Sequence, residues 1–253
     1  MSRSERAADF GDRYDGMLEY HKSKNRFLLF YNTKYDTEYS LGGHHPRTRF
    51  SICHELGHYF LNRHRAYLMK SLKAHPSKGE FRSDLVVEKE ADSFAASILL
   101  PTRLARPMVN QAELSVERIS EIAEHFRASL VSTMFRSVAL SDFPCAVAGI
   151  RGGEVAWMFP SDALIEAGIY PNKHFLPSNA LEPWAEFQVG VSDHYEDEGQ
   201  VRDWFNVYDK HDLETIHVIE EYVPVASMGT LLVLLTMEES DVFTEEEEED
   251  EED

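Results

Sequence analysis

The chain has 253 residues, 43% of them hydrophobic and 11% aromatic, enough to bury one large core or two modest ones. Its formal net charge is −20, so it offers no basic field for nucleic-acid phosphates. Two cysteines give no disulfide framework, and no apolar run reaches the about 18 residues of a transmembrane helix. With no visible signal peptide, these features favour a soluble cytoplasmic protein over a secreted or membrane protein.

The first predicted element is a β-hairpin. Residues 1–13 are polar and lack periodicity, so we expect a frayed start. Two apolar runs then flank the polar Lys-Ser-Lys-Asn of residues 22–25, a pattern typical of a hairpin. We expect its second strand, residues 26–31, to lie along the edge of a cleft beside the next helix. His44 and His45, in the loop before that helix, are interpreted as loop surface.

The next helix carries the sequence His-Glu-Leu-Gly-His. His54 and His58 are four residues apart and therefore project from one face of a helix. Two neutral imidazoles bind Zn²⁺ at about 2.0–2.1 Å and leave room for a third protein ligand and a water. Zinc lowers the pKa of that water towards about 7, and Glu55 can then accept its proton. We expect Arg47 and Arg49, which precede the motif, to pair with carboxylates.

A second helix is predicted about thirty residues later, ending before Pro101. Glu88 and Asp92 lie one turn apart on one stripe of this helix. Glu88 is the natural third ligand, and Asp92 can accept the far N–H of a zinc-bound histidine. Glu90 points about 200° away from Glu88, so it ranks well behind Glu88 as the third ligand. Small alanines would let this helix lie close against the first one.

A rival third ligand stands at His64, six residues after His58. Metzincins place their third histidine there, but they carry a glycine where this chain has Leu61. Without that glycine we expect the helix to run on past Leu61, with His64 at a helix end or on the surface. Cys53 lies about 100° from His54 around the helix and is interpreted as buried packing.

The two motifs together resemble a known family. RFSICHELGHYF followed by EKEADSFAASILLP is similar to the ImmA/IrrE zinc metallopeptidases, which are related to gluzincins. The resemblance covers about residues 14–140. It implies a zincin-like fold with His54, His58 and Glu88 as zinc ligands and Glu55 as catalytic base. It also implies a substrate class, helix-turn-helix transcriptional repressors, cleaved to release a stress-response or mobile-element programme.

Residues 65–85 are predicted to form a loop beside the metal that could bind an extended peptide or act as a lid. His75 in this loop is a candidate transition-state donor, although an ordinary loop residue is the favoured interpretation. Residues 115–140 then predict two short helices with a break near Ala128 and Ser129.

This helix pair raises a second function, that of a DNA-binding or repressor-binding regulator whose zinc is structural. Over residues 117–136 three glutamates cancel three arginines, whereas a recognition helix usually needs a positive surplus. We therefore do not expect direct nucleic-acid binding.

After Asp142 the pattern changes to strands. The predicted strands are residues 144–151 and 154–159 around a Gly152-Gly153 turn, then 186–191, 202–208, 215–225 and 230–237. The tryptophans are expected in the core rather than in a ligand pocket; they are Trp157, Trp184 and Trp204.

The prediction is an α+β protein with a zinc metallopeptidase domain over residues 1–140, a β-rich sensor-like or docking domain over 141–237, and a disordered acidic tail over 238–253. We expect a zinc-dependent endopeptidase that acts on a protein. The oligomeric state and the activating signal stay open.

Overall fold

The computed structural model describes residues 14–37, 43–71, 75–77, 85–172, 175–208 and 216–243. The predicted frayed start, and residues 244–253 of the predicted acidic tail, lie outside these ranges. The chain divides into two compact units, one formed by the residues up to Pro101 with Ala123–Thr133 and the other by Thr102–Ile122 with the residues from Met134 onward. The predicted α+β class is confirmed.

The bounds of the elements are as follows. The helices are α1 (Pro46–Phe60), α2 (Asn62–Ser71), α3 (Val86–Leu99), α4 (Thr102–Val109), α5 (Val116–Phe126), α6 (Leu130–Val138), α7 (Asp162–Glu166), α8 (Leu181–Gln188), α9 (Val201–Trp204) and α10 (Glu239–Val242). The strands are β1 (Gly16–His21), β2 (Arg26–Tyr31), β3 (His75–Ser77), β4 (Cys145–Arg151), β5 (Glu154–Pro160), β6 (Ile169–Pro171), β7 (Tyr195–Gln200), β8 (Phe205–Val207), β9 (His217–Val225) and β10 (Thr230–Thr236). None of the described helices is long and apolar enough to cross a bilayer.

The first unit contains a three-stranded antiparallel sheet in the order β2-β1-β3. The predicted hairpin is confirmed, with Gly16 opposite Tyr31 and His21 opposite Arg26. Asn25 closes its turn with φ +47°, a conformation that asparagine tolerates better than most residues. β3 pairs with the other side of β1, so β1 is the central strand.

Helices α1 and α3 lie close together because small residues line their contact. A Cβ at Gly57 would lie 3.2 Å from the Cα of Ala91 and 3.3 Å from the Cβ of Phe94. Ala91 and Ala95 are fully buried. The predicted helix over residues 86–99 is confirmed, and Pro101 follows its end. This close approach brings the polar stripe of α3 to α1.

The expectation that α1 continues past Leu61 is wrong. Leu61 is extended, with φ −72° and ψ 112°, and α2 begins at the next residue. The bend needs no glycine because this backbone conformation is open to any residue. The amide of Leu61 still donates to the carbonyl of Gly57, at 2.9 Å. Of the loop expected over residues 65–85, residues 65–71 are therefore helical and residues 75–77 form a strand.

The predicted pair of short helices is confirmed as α5 and α6. The chain turns between them at Arg127, whose φ is +52°, and the amide of Ala128 donates to the carbonyl of Ala123 at 2.9 Å. The hydroxyl of Ser129 then accepts from the amide of Ser132 at 3.1 Å, as an N-cap does.

The second unit contains a five-stranded antiparallel sheet in the order β5-β4-β10-β9-β7. Gly152 and Gly153 both have positive φ, at +62° and +83°, and join β4 to β5 as predicted. Every residue of β10 is buried, which explains its uninterrupted apolar sequence. The indole of Trp204 is fully buried in the core of this unit, so for Trp204 the core interpretation is confirmed.

Three strand predictions in this unit need correction. Residues 186–191 do not form a strand, because Leu181–Gln188 is helical. Residues 202–208 divide between α9 and β8. The acidic segment Tyr195–Gln200 forms β7, an edge strand, although aspartate, glutamate and glycine have low β propensity. Its pairing with β9 stabilises a segment that local propensity does not favour.

Candidate metal centre

The two histidines of α1 and the glutamate of α3 converge. The Nε2 atoms of His54 and His58 lie 3.0 Å apart. The carboxylate of Glu88 places Oε2 3.3 Å from His54 Nε2 and Oε1 3.8 Å from His58 Nε2. Ligand atoms at about 2.0–2.1 Å from a tetrahedral zinc are separated by about 3.3 Å. The helical spacing thus brings together a donor set of the right size for one metal ion.

Asp92 lies behind His54. Its Oδ1 is 2.8 Å from His54 Nδ1, and both side chains are buried. A carboxylate at this position holds the proton on Nδ1 and leaves Nε2 unprotonated for a metal. The predicted contact between Asp92 and a histidine of the motif is therefore present, and that histidine is His54.

Glu55 is fully buried between α1 and the small sheet. Ser77 donates from Oγ to Glu55 Oε1 at 2.5 Å, while Oε2 has no hydrogen-bond partner among the residues that the structure describes. A Cβ at Gly16 would lie 2.8 Å from Oε1, so this position needs a glycine. These contacts come from β1 and β3. The strand β2 lies beside α1, with the ring centroids of Phe27 and Tyr59 5.3 Å apart.

His75 at the start of β3 also reaches the site. Its Nε2 lies 2.8 Å from Glu88 Oε1, and its ring centroid is 4.3 Å from that of His58. The side chain is 28% exposed, so it can face both the ligands and solvent. The interpretation of His75 as an ordinary loop residue is wrong.

His64 is neither on the surface nor among the three converging ligands. It is 5% exposed, with Nδ1 3.1 Å from His58 Nδ1 and Nε2 2.7 Å from Glu90 Oε2. His64 lies at a helix end, in the first turn of α2, as one of the two expected positions, but it is buried and not on the surface. Glu90, ranked behind Glu88 as a ligand, lies outside the converging group and contacts His64. The reason is the bend at Leu61, which turns α2 back towards α1. The sequence feature that indicated this contact was the presence of a histidine six residues after His58.

The two arginines before the motif anchor the start of α1. Arg47 pairs with Asp15 at 3.4 Å, as predicted. Arg49 instead donates to the backbone carbonyls of Phe126, at 2.8 Å, and Arg127. Within the described part of the chain, the hydrogen-bond partners of Arg49 are therefore backbone carbonyls and not the expected carboxylate.

The two histidines before α1 also have structural contacts. His45 caps the helix by accepting from the amide of Arg47 through Nδ1 at 3.1 Å. His44 Nδ1 lies 2.6 Å from Asp36 Oδ2. The interpretation of both as plain loop surface is corrected, because these contacts fix the loop that enters α1.

Comparison with known families agrees with this geometry. Residues 42–137 match the model of the peptidase M78 family described as the IrrE N-terminal-like domain. Over this range the chain is similar to the IrrE N-terminal-like domain. The matched range includes α1, α2 and α3 and every residue of the metal centre on them, so the resemblance drawn from the two motifs is confirmed.

A solved structure shares the fold over a longer range. A Mycobacterium tuberculosis transcriptional regulator is 10% identical, with a TM-score of 0.53 over 93% of this chain and 66% of its own. At this identity the likeness concerns the fold alone, and this chain spans slightly less than two thirds of the regulator. No curated protein matches the sequence.

Electrostatic interactions in the candidate metal centre shift the pKa values of His54 and His58 in opposite directions. Burial opposes a charge on His54, but hydrogen bonds to Asp92 and Glu88 outweigh it and raise its pKa to about 9. Burial lowers the pKa of His58 to about 3, assisted by the neighbouring His54 and His75. Without a metal, His54 is therefore the cationic imidazole near neutral pH and His58 the neutral one.

The two carboxyls of the centre are shifted in opposite directions. Burial raises the pKa of Glu55 to about 7, against the opposing effects of His54 and Ser77. The pKa of Glu88 is held below its usual range, because hydrogen bonds from His54 and His75 outweigh its burial. The domain thus combines an ionised carboxylate suited to a metal with a carboxyl that exchanges protons near neutral pH.

Proposed function

We propose that this protein is a zinc-dependent endopeptidase with His54, His58 and Glu88 as metal ligands and Glu55 as catalytic base. The observation that carries the proposal is the buried Oε2 of Glu55, which has no hydrogen-bond partner in the described ranges and belongs to the residue that follows the first of three converging ligand residues. A buried polar atom without a partner is rare in a folded protein and requires an explanation. A reacting water at the metal supplies one.

The chemistry of the residues fits zinc in a catalytic rather than a structural site. Two imidazole nitrogens and one carboxylate oxygen form the ligand set of several zinc hydrolases, which leave the fourth position open. Among the described residues, the metal-binding group holds these three side chains only. Cys53 is adjacent in sequence, but burial raises the pKa of its thiol and disfavours the thiolate that zinc binds.

In the proposed mechanism, a bound zinc ion supplies a Lewis acid that polarises the scissile carbonyl and acidifies a water. Glu55 accepts the proton of the attacking water on Oε2 and then delivers it to the leaving amine nitrogen. Ser77 holds the other oxygen, Oε1, so the carboxyl keeps its orientation. Asp92 keeps Nε2 of His54 directed at the ligand position.

His75 is placed to stabilise charge on the substrate. The hydrogen bond to Glu88 raises the pKa of His75, which favours its cationic form. A cationic, partly exposed imidazole next to the ligands can donate to the carbonyl oxygen as it becomes negative. We assign this role to His75 as part of the proposal.

The proposed substrate is a protein, a helix-turn-helix transcriptional repressor. The support is the family resemblance, since the domain match covers the metal centre and the ImmA/IrrE resemblance implies repressor cleavage. The residues over 141–237 are proposed to serve as a sensor-like or docking domain in this function.

The test uses purified protein, freed of metal and then reconstituted with zinc, and the helix-turn-helix repressors encoded by neighbouring genes. We expect the zinc-loaded protein to cut one of them once, giving two fragments by mass spectrometry, and the metal-free protein to leave it intact. If zinc-loaded protein binds a repressor and relieves repression without fragments, the alternative applies. The protein would then be a repressor-binding regulator with a structural zinc.

A further inference from the structure

A second chain of hydrogen bonds lies behind the metal centre, on the side of His58. It runs from His58 Nδ1 to His64 Nδ1 at 3.1 Å, and from His64 Nε2 to Glu90 Oε2 at 2.7 Å. We infer that His64 is a positioning residue that orients the ligand His58, and that Glu90 fixes the tautomer of His64.

The direction of each hydrogen bond follows from chemistry. If His58 binds the metal through Nε2, its neutral ring carries the proton on Nδ1 and donates from there. His64 must accept on Nδ1, so its own proton is on Nε2, where the carboxylate of Glu90 accepts it. One arrangement of protons therefore satisfies all three groups and leaves His58 Nε2 free for the metal.

The position of His64 excludes a role as a competing ligand. Its Nδ1 contacts the Nδ1 edge of His58, whereas the Nε2 edge of His58 faces His54 and Glu88. His64 thus contacts Nδ1 of His58 in the same way that Asp92 contacts Nδ1 of His54. The two ligand histidines differ in their support, because one is held by a buried carboxylate and the other by an imidazole that a half-exposed carboxylate orients.

The path of the chain explains how His64 reaches this position. The bend at Leu61 ends α1 one turn after the second ligand, and α2 turns back with His64 in its first turn. Leu68, one turn later on the same face, is 3% exposed and anchors α2 in the core. Leu68 therefore offers a matched control, a buried residue of the same helix that makes no hydrogen bond to a ligand.

The measurement is the dissociation constant for zinc, obtained by competition with a chelator on the full-length protein, together with the Tm of the metal-free form. We expect His64→Ala to weaken zinc binding by about 10–100-fold while still binding about one zinc at saturation. His64→Asn, which keeps an acceptor close to His58, should recover part of the affinity. Leu68→Ala should lower the Tm and leave zinc affinity unchanged.

Substitutions of Glu90 test the same inference, with smaller expected changes in zinc affinity. Glu90→Gln keeps an oxygen that can accept from His64 Nε2 and should bind zinc almost as tightly as wild type. Glu90→Ala removes the acceptor and should bind less tightly, by a smaller factor than His64→Ala because Glu90 is half exposed.

The inference is overturned if His64→Ala binds zinc as tightly as wild type and only loses thermal stability, as Leu68→Ala does. It rests on the metal site of the proposed function but does not require catalysis, since every readout is binding or stability. If the wild-type protein binds no zinc, the proposed function itself is refuted.

Discussion

Each of the two units buries a glutamate completely, and the two carboxyls are partnered differently. Glu55 in α1 has one oxygen bonded to Ser77 and one without a partner among the described residues. Glu220 in β9 has both oxygens bonded. Its Oε1 accepts from Trp204 Nε1 at 2.7 Å and from Asn179 Nδ2 at 3.3 Å, and its Oε2 accepts from the hydroxyl of Tyr222.

Burial alone therefore does not mark a catalytic carboxyl. It raises the pKa of both groups, to about 7 for Glu55. Glu55 differs because one of its oxygens can contact a reactant next to the candidate metal ligands. Both oxygens of Glu220 instead accept hydrogen bonds from residues in the core of its own unit. We interpret Glu220 as a structural residue and Glu55 as a reactive one.

The distinction between a reactive Glu55 and a structural Glu220 fails if no metal binds near Glu55. We expect about one zinc per chain in wild type and in Glu220→Gln, and close to none in Glu88→Ala after dialysis, because two imidazoles alone hold zinc weakly. Elemental analysis of the dialysed proteins measures this. A full equivalent of zinc in Glu88→Ala would refute the assignment of Glu88 as a ligand.

A glycine beside each carboxyl allows the same substitution in both units. At Gly199 an added Cβ would overlap Glu220 Oε1 and lie 2.9 Å from Asn179 Nδ2. We expect Gly199→Ala to destabilise the protein by about 1–3 kcal/mol, the usual cost of overpacking, and to leave zinc binding intact. Chemical denaturation measures the change. Wild-type stability in this variant would show that the contacts of Glu220 adjust at little cost.

The matching change in the first unit should affect activity more than stability. At Gly16 an added Cβ would lie 2.8 Å from Glu55 Oε1 and 2.9 Å from its Cγ. We expect Gly16→Ala to move Glu55 from its place and lower the rate of repressor cleavage by about tenfold or more, since a displacement of about 1 Å can cost 10²-fold. Zinc content should not change. An unaltered cleavage rate would show that Glu55 need not be held in this position.

The smallest expected effect concerns pH. Burial raises the pKa of Glu220, so the folded state binds its proton more tightly than the unfolded state. Wild-type stability is therefore lost as pH rises from the ordinary glutamate pKa of 4.5 towards and through the higher pKa of the folded state. Glu220→Gln carries no charge and should have the higher Tm at neutral pH.

The readout is the sign of the Tm difference, and each 1 kcal/mol of stability moves the Tm of a domain of about 150–250 residues by roughly 2–4 °C. The two Tm values should approach each other below pH 4.5. A Tm for Glu220→Gln that is lower than that of wild type at every pH would mean that hydrogen bonding by the ionised carboxylate dominates.

The parts of the site that depend on helix periodicity could be predicted from the sequence. Residues one helical turn apart share a face whatever the rest of the fold, so the convergence of His54 with His58 and the contact of Asp92 followed from spacing. The hairpin followed likewise from two apolar runs around a polar turn, and the central strands of the larger sheet followed from apolar runs bounded by turn residues.

The remaining features depend on contacts between distant segments. The bend at Leu61 has no glycine or proline to announce it, and it brings His64 to His58. The contact of Ser77 with Glu55 depends on the pairing of β3 with β1. Which side of β9 faces the core, and hence the burial of Glu220, depends on the packing of the whole sheet.

The most direct test of the account compares Glu55→Gln with Glu220→Gln in zinc content, Tm and repressor cleavage. We expect both variants to fold and to bind about one zinc. Glu55→Gln should lose about 10²–10⁴-fold in cleavage rate, because the amide cannot accept the proton of the attacking water, while Glu220→Gln should cleave at the wild-type rate. Equal cleavage by Glu55→Gln and wild type would contradict the account, because the unpartnered oxygen of Glu55 would then have no part in the reaction.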